Sequence, residues 1–306
     1  PQKDVCNVSL VWYKNCMPEL PEVQTTALGL DRVLRGLTIE DVWTEYDSPY
    51  FYGSETIKDP KFFNYFKKTV VSAQILNVTR RAKNVLINLS NNYTILVHMK
   101  MTGHLLYGDY NRKDPFNRHI RLIFHLSNKK TLEFCDMRKF AKVTVVPTDT
   151  MHETVHLKGV GPEPLEKEFT FSIFKKQLHK RPAGKIKQVL IDQAIIAGIG
   201  NIYADESLWR AGIHPLSIVR KIPDTQLKEL YSAARTTLSK GIDFGGDSTS
   251  DYRDIDGNRG KFQESHNAYR KTGMKCSKKG CNGKIVRIVL GARGTHFCNV
   301  HQKLFE

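Results

Sequence analysis

The chain has 306 residues, with 47 lysines and arginines against 31 aspartates and glutamates, which gives a formal net charge of +16. A quarter of the residues are charged and 40% are hydrophobic, a composition typical of a soluble globular protein with about two domains. No run of about 18 apolar residues is present, which excludes a membrane-spanning helix. The apolar patch in residues 1–16 is too short for a secretory signal, so we expect an intracellular protein.

The positive charge is concentrated near the C-terminal end. Residues 261–306 contain ten lysines and arginines against two glutamates, so half of the excess positive charge lies in these 46 residues. Net charge alone would also fit a soluble basic protein without a charged partner. Clustering of the charge in one small module favours a polyanionic partner, and we expect nucleic acid.

The first predicted helix begins in the segment MPELPEVQTT, residues 17–26. Pro21 suits a first helical position, Glu22 suits the positive end of the helix dipole, and apolar side chains follow at helical spacing at Val23, Ala27, Leu30 and Leu34. The segment resembles the start of a protein, with a methionine followed by a proline, although sixteen residues precede it. We therefore expect residues 1–16 to be a non-native or removable extension.

Residues 38–146 consist of short runs rich in β-branched and aromatic residues, separated by turn-forming clusters. Runs such as NVLINL, YTILVHM and HIRLIFHL predict an antiparallel β-sandwich. After GVGPEPL (159–165) the pattern becomes helical, as in DTQLKELYSAARTTLSKG (224–241). Residues 242–262 are rich in Gly, Asp and Ser, and they predict a mobile loop.

The last segment carries a candidate metal site. Cys276-x4-Cys281, sixteen intervening residues and Cys298-x2-His301 supply a Cys3His set around a predicted β-hairpin. Two close ligand pairs separated by a hairpin have the spacing of a closed tetrahedral zinc site. The even number of cysteines would also permit disulfides, which the lack of a secretory signal disfavours. We predict one structural zinc ion that holds the basic hairpin rigid.

The segment AGIGNIYADE (197–206) predicts a tight turn followed by a helix that begins near Asn201. Backbone N–H groups exposed at a helix start can bind phosphate. The same residues could also serve only to cap the helix. On local grounds both interpretations stay open.

Two further groups of residues could carry chemistry, and each has a plainer structural explanation. Glu19 and Glu22 with Lys83 could form a catalytic group or a solvated helix end. Arg138 and Phe140, in the segment DMRKF, could project together as a wedge into a DNA duplex or belong to an ordinary β-turn.

Taken together, these segments resemble the formamidopyrimidine-DNA glycosylase and endonuclease VIII family of base-excision repair enzymes, and come closest to its formamidopyrimidine-DNA glycosylase branch. MPELPEV, RRAK, GPEPL, GIGNIYADESLWRAGIHP, the Gly/Asp loop and the terminal hairpin occur in the family's order over residues 17–303. The resemblance implies an α+β multidomain fold. Its parts are an N-terminal antiparallel β-sandwich with a flanking helix, a helix-two-turns-helix domain and a β-hairpin zinc finger. We place them at residues 17–150, 151–265 and 266–306, with residues 242–262 as a lesion-capping loop.

The resemblance also implies a bifunctional enzyme that removes an oxidised base from double-stranded DNA and then cuts the abasic strand, acting as a monomer. The family's nucleophile is the secondary amine of an N-terminal proline, which corresponds here to Pro18. An α-amino group is partly uncharged at neutral pH, whereas an internal Pro18 would be an amide with no lone pair to offer. We therefore expect translation to start at Met17, with residues 1–16 an artefact of gene prediction or a removable leader.

By the same resemblance Glu19 is the general acid and base, Glu22 is its supporting carboxylate, and Lys83 contacts the phosphate of the lesion. Further side chains are implied to contact DNA. Asn201 and Arg293 are implied to contact phosphates, and Lys187 is a further implied DNA contact. The residues implied to fill the gap left by the flipped base are Met101, Arg138 and Phe140. The finger ligands are Cys276, Cys281, Cys298 and His301.

The sequence departs from the family pattern at two places. His301 stands where the family usually has cysteine, and the first ligand pair has four intervening residues rather than two, so we expect a zinc affinity that differs from the family's. The segment DMRKFA lacks the usual Pro and Gly, so we expect a looser wedge loop.

The long 242–262 segment favours oxidised purines, such as 8-oxoguanine and formamidopyrimidines, as substrates. Two alternatives remain: an endonuclease VIII-like enzyme that acts on oxidised pyrimidines, and a catalytically inactive protein that binds damaged DNA because Pro18 is blocked.

Overall fold

The computed structural model describes residues 17–46 and 49–306, and the prediction for residues 1–16 lies outside this part of the chain. Six α-helices are described: α1 Leu20–Leu34, α2 Pro60–Val70, α3 Phe171–Leu178, α4 Ile186–Ile191, α5 Asn201–Ala211 and α6 Asp224–Asp243. The ten described strands are β1 Ile39–Thr44, β2 Ile75–Arg81, β3 Asn84–Leu89, β4 Tyr93–His98, β5 Gly103–Tyr107, β6 Ile120–Leu126, β7 Thr131–Asp136, β8 Lys142–Pro147, β9 Ile285–Leu290 and β10 Arg293–Cys298.

The N-terminal part is an antiparallel β-sandwich, as predicted. Its two four-stranded sheets have the orders β1-β6-β7-β5 and β2-β3-β4-β8. Apolar side chains from both sheets meet in one core, including Val85 and Ile87 of β3 and Phe124 and Phe134 of β6 and β7. The fold class is confirmed, because the strands bury one face each against the other sheet and the flanking helices.

Helix α1 lies between the sandwich and the helical part. Its side chains Val23, Ala27, Leu30 and Leu34 belong to the sandwich core, at the spacing that the sequence predicted. Leu20, at the start of the helix, belongs to the core of the helical part instead, and its N–H donates to the carbonyl of Gly198 at 3.0 Å. The residues just before α1 therefore lie at the junction of two cores.

Helices α3 to α6 surround a second core that contains Leu190, Tyr203, Leu230 and Phe262. The turn between α4 and α5 approaches α1 closely at Gly198, where φ is +81° and a methyl group would lie 2.6 Å from the Cβ atom of Leu20. Glycine meets both requirements of this position, the left-handed backbone and the absence of a side chain.

Residues 244–261, which follow α6, contact the sandwich, and the predicted mobility of the 242–262 segment stays a prediction. Arg253 is buried in an ion pair with Asp114 (2.7 Å), and Ile255 lies in the sandwich core. The carbonyl of Gly257 accepts a 3.1 Å hydrogen bond from Nδ2 of Asn117. A composition rich in Gly, Asp and Ser indicated a lack of regular structure, but buried polar contacts to another domain hold the segment in place.

The C-terminal part is an antiparallel hairpin of β9 and β10, as predicted. Gly291 and Ala292 connect the strands with positive φ values of 56° and 60°, which a two-residue hairpin turn favours. The chain end then returns to the helical part, where Lys303 pairs with Ile213 in a parallel bridge. In the part of the chain that the structure describes, no helix has the length and apolarity to cross a membrane. The boundaries at residues 150 and 265 remain predictions.

Candidate active site and DNA-binding surface

One pocket joins the three parts of the chain. Its wall consists of Met17, Glu19, Lys83, Ile191, Gly200, Asn201 and Arg293. The sandwich, the helical part and the hairpin each contribute to it, and four of its residues were assigned to the site from the sequence. Pro18 is buried between the first two lining residues, directly before α1. Tertiary structure therefore brings together residues that lie up to 276 positions apart in the sequence.

The carboxylate of Glu19 is buried against the N-terminal end of α5. Its Oε2 accepts from the N–H of Gly200 at 2.9 Å and of Tyr203 at 3.3 Å, and its Oε1 accepts from the N–H of Ile202 at 2.9 Å. Burial raises the pKa of Glu19, while the charge of Lys83 and the three N–H groups oppose the rise. This carboxyl can therefore keep a proton at a higher pH than an exposed glutamate, as a general acid requires.

Glu22 is buried in the first turn of α1 and connects three segments. Its Oε2 accepts from the N–H of Glu19 at 2.8 Å, and its Oε1 accepts from the Tyr203 hydroxyl and the Asp247 N–H, both at 2.7 Å. Burial, followed by the negative charges of Glu19 and Asp247, raises the pKa of Glu22 to about 8. Glu22 thus holds the backbone of Glu19 and ties α1 to α5 and to the segment after α6.

Lys83 is presented by a two-residue turn between β2 and β3, in which Ala82 has a φ of 52°. Glu163, from the GPEPL segment, holds this turn with both carboxylate oxygens. Oε1 accepts from the Ala82 N–H and from the Arg81 guanidinium, both at 2.7 Å, and Oε2 lies 2.6 Å from Nη1 of Arg80. The position of Lys83 in the pocket therefore depends on a carboxylate from the start of the helical part.

Asn201 begins α5 and Arg293 begins β10, and both line the pocket next to each other. Nδ2 of Asn201 donates to the carbonyl of Gly294 at 3.1 Å, and the side chain of Arg293 is exposed. The backbone N–H groups of Gly200, Ile202 and Tyr203 at this helix start donate to Glu19, so these three groups do not bind a phosphate in this arrangement. The side chains of Asn201 and Arg293 remain as the polar groups that face the opening.

Lys187 does not lie on the surface, which corrects the prediction that it contacts DNA. Its side chain is buried in α4, where Nζ lies 2.6 Å from Oδ1 of Asp205 and donates to Oγ1 of Thr295 at 2.8 Å. A side chain with this burial cannot reach a DNA phosphate. Its structural effect is to hold β10, and with it Arg293, against α5.

The residues of the predicted wedge lie on two adjoining turns. Met101 precedes Thr102, whose Oγ1 accepts from the Arg138 N–H at 3.1 Å and donates to Asp136 at 2.6 Å. The Arg138 guanidinium lies 4.7 Å from the centre of the Phe140 ring, and half of the Phe140 surface is exposed. An arginine and an aromatic ring are thus held together at the surface.

Hydrogen bonds hold the ends of the wedge loop, and its expected looseness stays a prediction. Oδ2 of the buried Asp136 accepts from the N–H of Ala141 at 2.9 Å and from the hydroxyl of Tyr46 at 3.0 Å. These bonds fix both ends of the loop that contains Arg138 and Phe140, in the place of the family's Pro and Gly.

The four predicted metal ligands form one cluster. The ligand atoms of Cys276, Cys281, Cys298 and His301 all lie within 4.8 Å of one another, so the set could hold a metal ion. Nε2 of His301 lies 2.9 Å from the carbonyl of Trp209, to which it can only donate. That hydrogen bond assigns the proton to Nε2 and leaves Nδ1, 3.3 Å from Sγ of Cys276, with a free lone pair towards the cluster.

Sequence reasoning missed the carboxylates that hold the three parts together. Besides Glu163, these are Asp205, which holds Lys187 and the N–H of His296 (2.9 Å), and Glu206, which accepts from the N–H of Ala268 and of Tyr269. The segments GPEPL and YADE contain these residues, but their spacing shows nothing of partners that lie far away in the chain.

Comparison with known proteins agrees with this geometry. The family model described as the formamidopyrimidine-DNA glycosylase N-terminal domain matches residues 17–143, and the model described as the formamidopyrimidine-DNA glycosylase H2TH domain matches residues 160–253. The chain belongs to the formamidopyrimidine-DNA glycosylase family. The resemblance noted in the sequence is confirmed.

Relatives in this family align over nearly the whole chain. The formamidopyrimidine-DNA glycosylase of Pelotomaculum thermopropionicum is 41% identical over 94% of this chain and all of its own length. The Bacillus subtilis protein of the same name is 34% identical over 92% of this chain and 98% of its own.

Solved structures show the same fold. A complex between a Lactococcus lactis Fpg variant and DNA containing Fapy-dG has a TM-score of 0.81 and 31% identity, and the match covers 94% of this chain and 100% of the other. A complex of Lactococcus lactis Fpg with DNA containing an abasic site has a TM-score of 0.80 at 31% identity, over 93% of this chain and 99% of the other.

Proposed function

We propose that the protein is a base-excision repair enzyme that removes oxidised purines from double-stranded DNA within the cell and then cuts the abasic strand, acting as a monomer. Membership of the formamidopyrimidine-DNA glycosylase family supports this activity. The observation that carries it to this chain is the pocket in which Glu19, Lys83, Asn201 and Arg293 surround the segment of Pro18.

Pro18 is the nucleophile of the proposed reaction. The lone pair of its secondary amine forms a bond to the deoxyribose C1′ atom, while the bond from C1′ to the damaged base breaks and the base leaves with the bonding electrons and takes up a proton. The nitrogen then loses its own proton, and its regenerated lone pair forms the C1′=N bond as the bond from C1′ to the protonated ring oxygen breaks. The resulting cationic iminium makes the C2′ proton acidic. Loss of that proton expels the 3′ phosphate, and a second elimination expels the 5′ phosphate.

Glu19 is the general acid in this proposal. Opening of the sugar ring requires a proton on the ring oxygen, and burial raises the pKa of Glu19, which favours the protonated carboxyl that can supply it. Its hydrogen bonds to α5 fix its direction before substrate binds. Glu22 supports it by holding the backbone N–H of Glu19.

Lys83, Asn201 and Arg293 bind phosphates around the flipped nucleotide in this proposal. Their side chains surround the opening from three directions, and Asn201 and Arg293 are coupled through Gly294 and β10. Met101, Arg138 and Phe140 fill the gap that the extruded base leaves in the duplex. Refilling the gap offsets part of the cost of unstacking, which is about a few kcal/mol.

Cys276, Cys281, Cys298 and His301 hold one zinc ion in this proposal. Three thiolate donors and one imidazole within 4.8 Å suit tetrahedral zinc, and the hydrogen bond from His301 to Trp209 presents Nδ1 as the donor atom. Four protein ligands leave no position open for substrate, so the ion is structural. It would stiffen the hairpin that carries Arg293.

A second candidate function is supported by Met17, which lines the pocket next to Pro18. While a residue precedes Pro18, its nitrogen is an amide nitrogen and no iminium can form. A chain that keeps Met17, or further residues before Pro18, would then bind damaged DNA without excising the base.

Borohydride trapping tests both functions. Protein that begins at Pro18 and protein that keeps residues 1–17 are incubated with borohydride and duplexes containing 8-oxoguanine or thymine glycol. We expect a covalent complex of the first protein with the 8-oxoguanine duplex, because borohydride reduces an iminium to a stable amine. Trapping only on thymine glycol would establish the pyrimidine alternative, and absence of trapping with retained DNA binding would establish the inactive binding protein.

A further inference from the structure

A row of polar and basic side chains crosses the end of the β2-β3-β4-β8 sheet that adjoins the turn of Lys83. In the register of β3, β4 and β8, His98 pairs with Asn84 on one side and with Lys142 on the other. Side chains directly opposite each other in an antiparallel sheet point to the same face. Asn84, directly after Lys83, and Lys142 are therefore two strand spacings apart on one face, roughly 10 Å.

Lys100 adds a second charge to this row. It follows β4 in the turn that precedes Met101, and its N–H donates to Nδ1 of His98 at 3.1 Å. Burial, followed by the charges of Lys100 and Lys83, lowers the pKa of His98 to about 3. Lys100 also has a φ of 54°, a backbone conformation in which glycine is the favoured residue.

Lys100 and Lys142 form no ion pair with a carboxylate of the described residues. Among residues 17–46 and 49–306, the structure shows no ion pair that involves Lys100 or Lys142, whereas the neighbouring Lys139 is paired with Glu45 at 3.1 Å. Lys58, which is buried beside them, donates to the carbonyl of Lys139 at 2.5 Å. Like charges held together without a counter-ion form a local positive potential, which attracts an anion.

The place of this row indicates which anion it binds. One end of the row adjoins Lys83 in the pocket, and the other end adjoins the loop of Arg138 and Phe140, which begins at Asp136 and ends directly before β8. A DNA strand that enters the pocket and passes the wedge must cross the ends of β3, β4 and β8. Backbone phosphates, one per 3.4 Å of helix axis on each strand, would then lie over the row.

We propose that Lys100 and Lys142 form a second phosphate-binding surface, which holds backbone phosphates of the damaged strand between the Lys83 pocket and the wedge loop. The inference rests on the proposed function in one respect, because the ligand of this surface is taken to be duplex DNA that contains a lesion. Lys100 and Lys142 act as positioning residues, because they touch neither the sugar nor the base that reacts.

Salt-dependent DNA binding tests the proposal. Lys100→Gln and Lys142→Gln are compared with Lys129→Gln, which removes the same charge at the opposite end of β7, where Lys129 forms an exposed pair with Glu40. On a duplex with an abasic-site analogue, each of the first two variants should weaken binding roughly five- to tenfold and make the slope of log K against log[salt] shallower by about 0.9. Lys129→Gln should change neither quantity.

Lys100→Gly distinguishes the effect of the Lys100 charge on DNA affinity from the effect of its backbone conformation on stability. Glycine adopts a φ of 54° more readily than lysine, so this variant should keep the melting temperature of the wild type. Its loss of DNA affinity should nevertheless equal that of Lys100→Gln. A full wild-type affinity of Lys100→Gly would overturn the assignment of a phosphate contact to Lys100.

Single uncharged phosphates in the DNA identify the contact itself. Methylphosphonate is placed at one position at a time in the damaged strand on either side of the analogue. At one position the substitution should weaken the wild type but leave Lys100→Gln nearly unchanged, because the contact is already lost. Equal effects on both proteins at every position would overturn the proposal. Single-turnover base excision at saturating enzyme should stay within about twofold of the wild type in the control Lys129→Gln, and a failure of the proposed catalysis would be seen separately in the wild type.

Discussion

The backbone of Gly200 lies directly against the carboxylate of Glu19. The Gly200 N–H donates to Oε2 of Glu19 at 2.9 Å, and a methyl group at position 200 would lie 2.3 Å from Cδ of that carboxyl group. The first residues of α5 therefore determine where the proposed general acid lies. Glycine at this position provides the necessary space.

We predict that Gly200→Ala displaces Glu19 and lowers single-turnover base excision about a hundredfold or more, because a positioned general acid contributes on the order of 10²–10⁴ to rate. Binding to an abasic-site analogue should change little. In a Glu19→Gln background the same substitution should have almost no further effect on excision, since the two changes remove one function. Additive losses would show that Gly200 acts independently of Glu19.

We predict that Glu19→Gln retains DNA binding and loses base excision, because the amide keeps the size of the side chain but has no acidic proton to transfer. Single-turnover excision and binding to an abasic-site analogue are measured on the same preparation. A melting temperature close to that of the wild type would show that the fold is intact. Excision at the wild-type rate would remove Glu19 from the mechanism.

We predict that active protein begins at Pro18, after removal of Met17. The pocket already contains Met17, and the amine of Pro18 exists only when no residue precedes it. Intact mass and N-terminal sequencing of active protein measure this directly. Pro18→Gly in a chain that begins at residue 18 keeps a primary amine, so it should react slowly but still be trapped by borohydride. Activity in protein that keeps residues before Pro18 would contradict the proline mechanism.

We predict one zinc ion per chain, measured by elemental analysis. Cys298→Ser should release the ion and abolish DNA binding, because the hairpin that carries Arg293 would lose its support. Arg293→Ala should keep the zinc, weaken binding to all DNA sequences alike and reduce the salt dependence by about one phosphate contact. Zinc-free protein with full affinity, or an unaltered salt slope in Arg293→Ala, would contradict this role of the finger.

We predict that Glu22 makes the stability of the protein depend on pH. Its folded-state pKa of about 8 lies above the ordinary value of 4.5, so its stabilising contribution is complete below about pH 4.5 and is lost as the pH rises through 8. The loss is on the order of a few kcal/mol at most. In Glu22→Gln the melting temperature should fall less between about pH 5 and pH 8 than in the wild type. Parallel curves for the two proteins would assign the pH dependence to other groups.

The sequence by itself determined the features that depend on local spacing. Helix α1, the hairpin of β9 and β10 and the Cys3His cluster follow from residues that are close in the chain, because a helix or a two-stranded hairpin brings such neighbours together without help from other segments. The family motifs then indicated Glu19, Lys83, Asn201 and Arg293, all of which line one pocket.

Tertiary structure alone decided which of the polar residues face solvent. Lys187 is a basic residue on a short helix, and only its contact with Asp205 and β10 shows that it is buried. Residues 244–261 follow α6 without helix or strand, and contacts that include those with Asp114 and Asn117 hold them against the sandwich. Burial of a charged or polar group is stable when a partner compensates its lost hydration, and these partners come from distant parts of the chain, where no spacing rule applies.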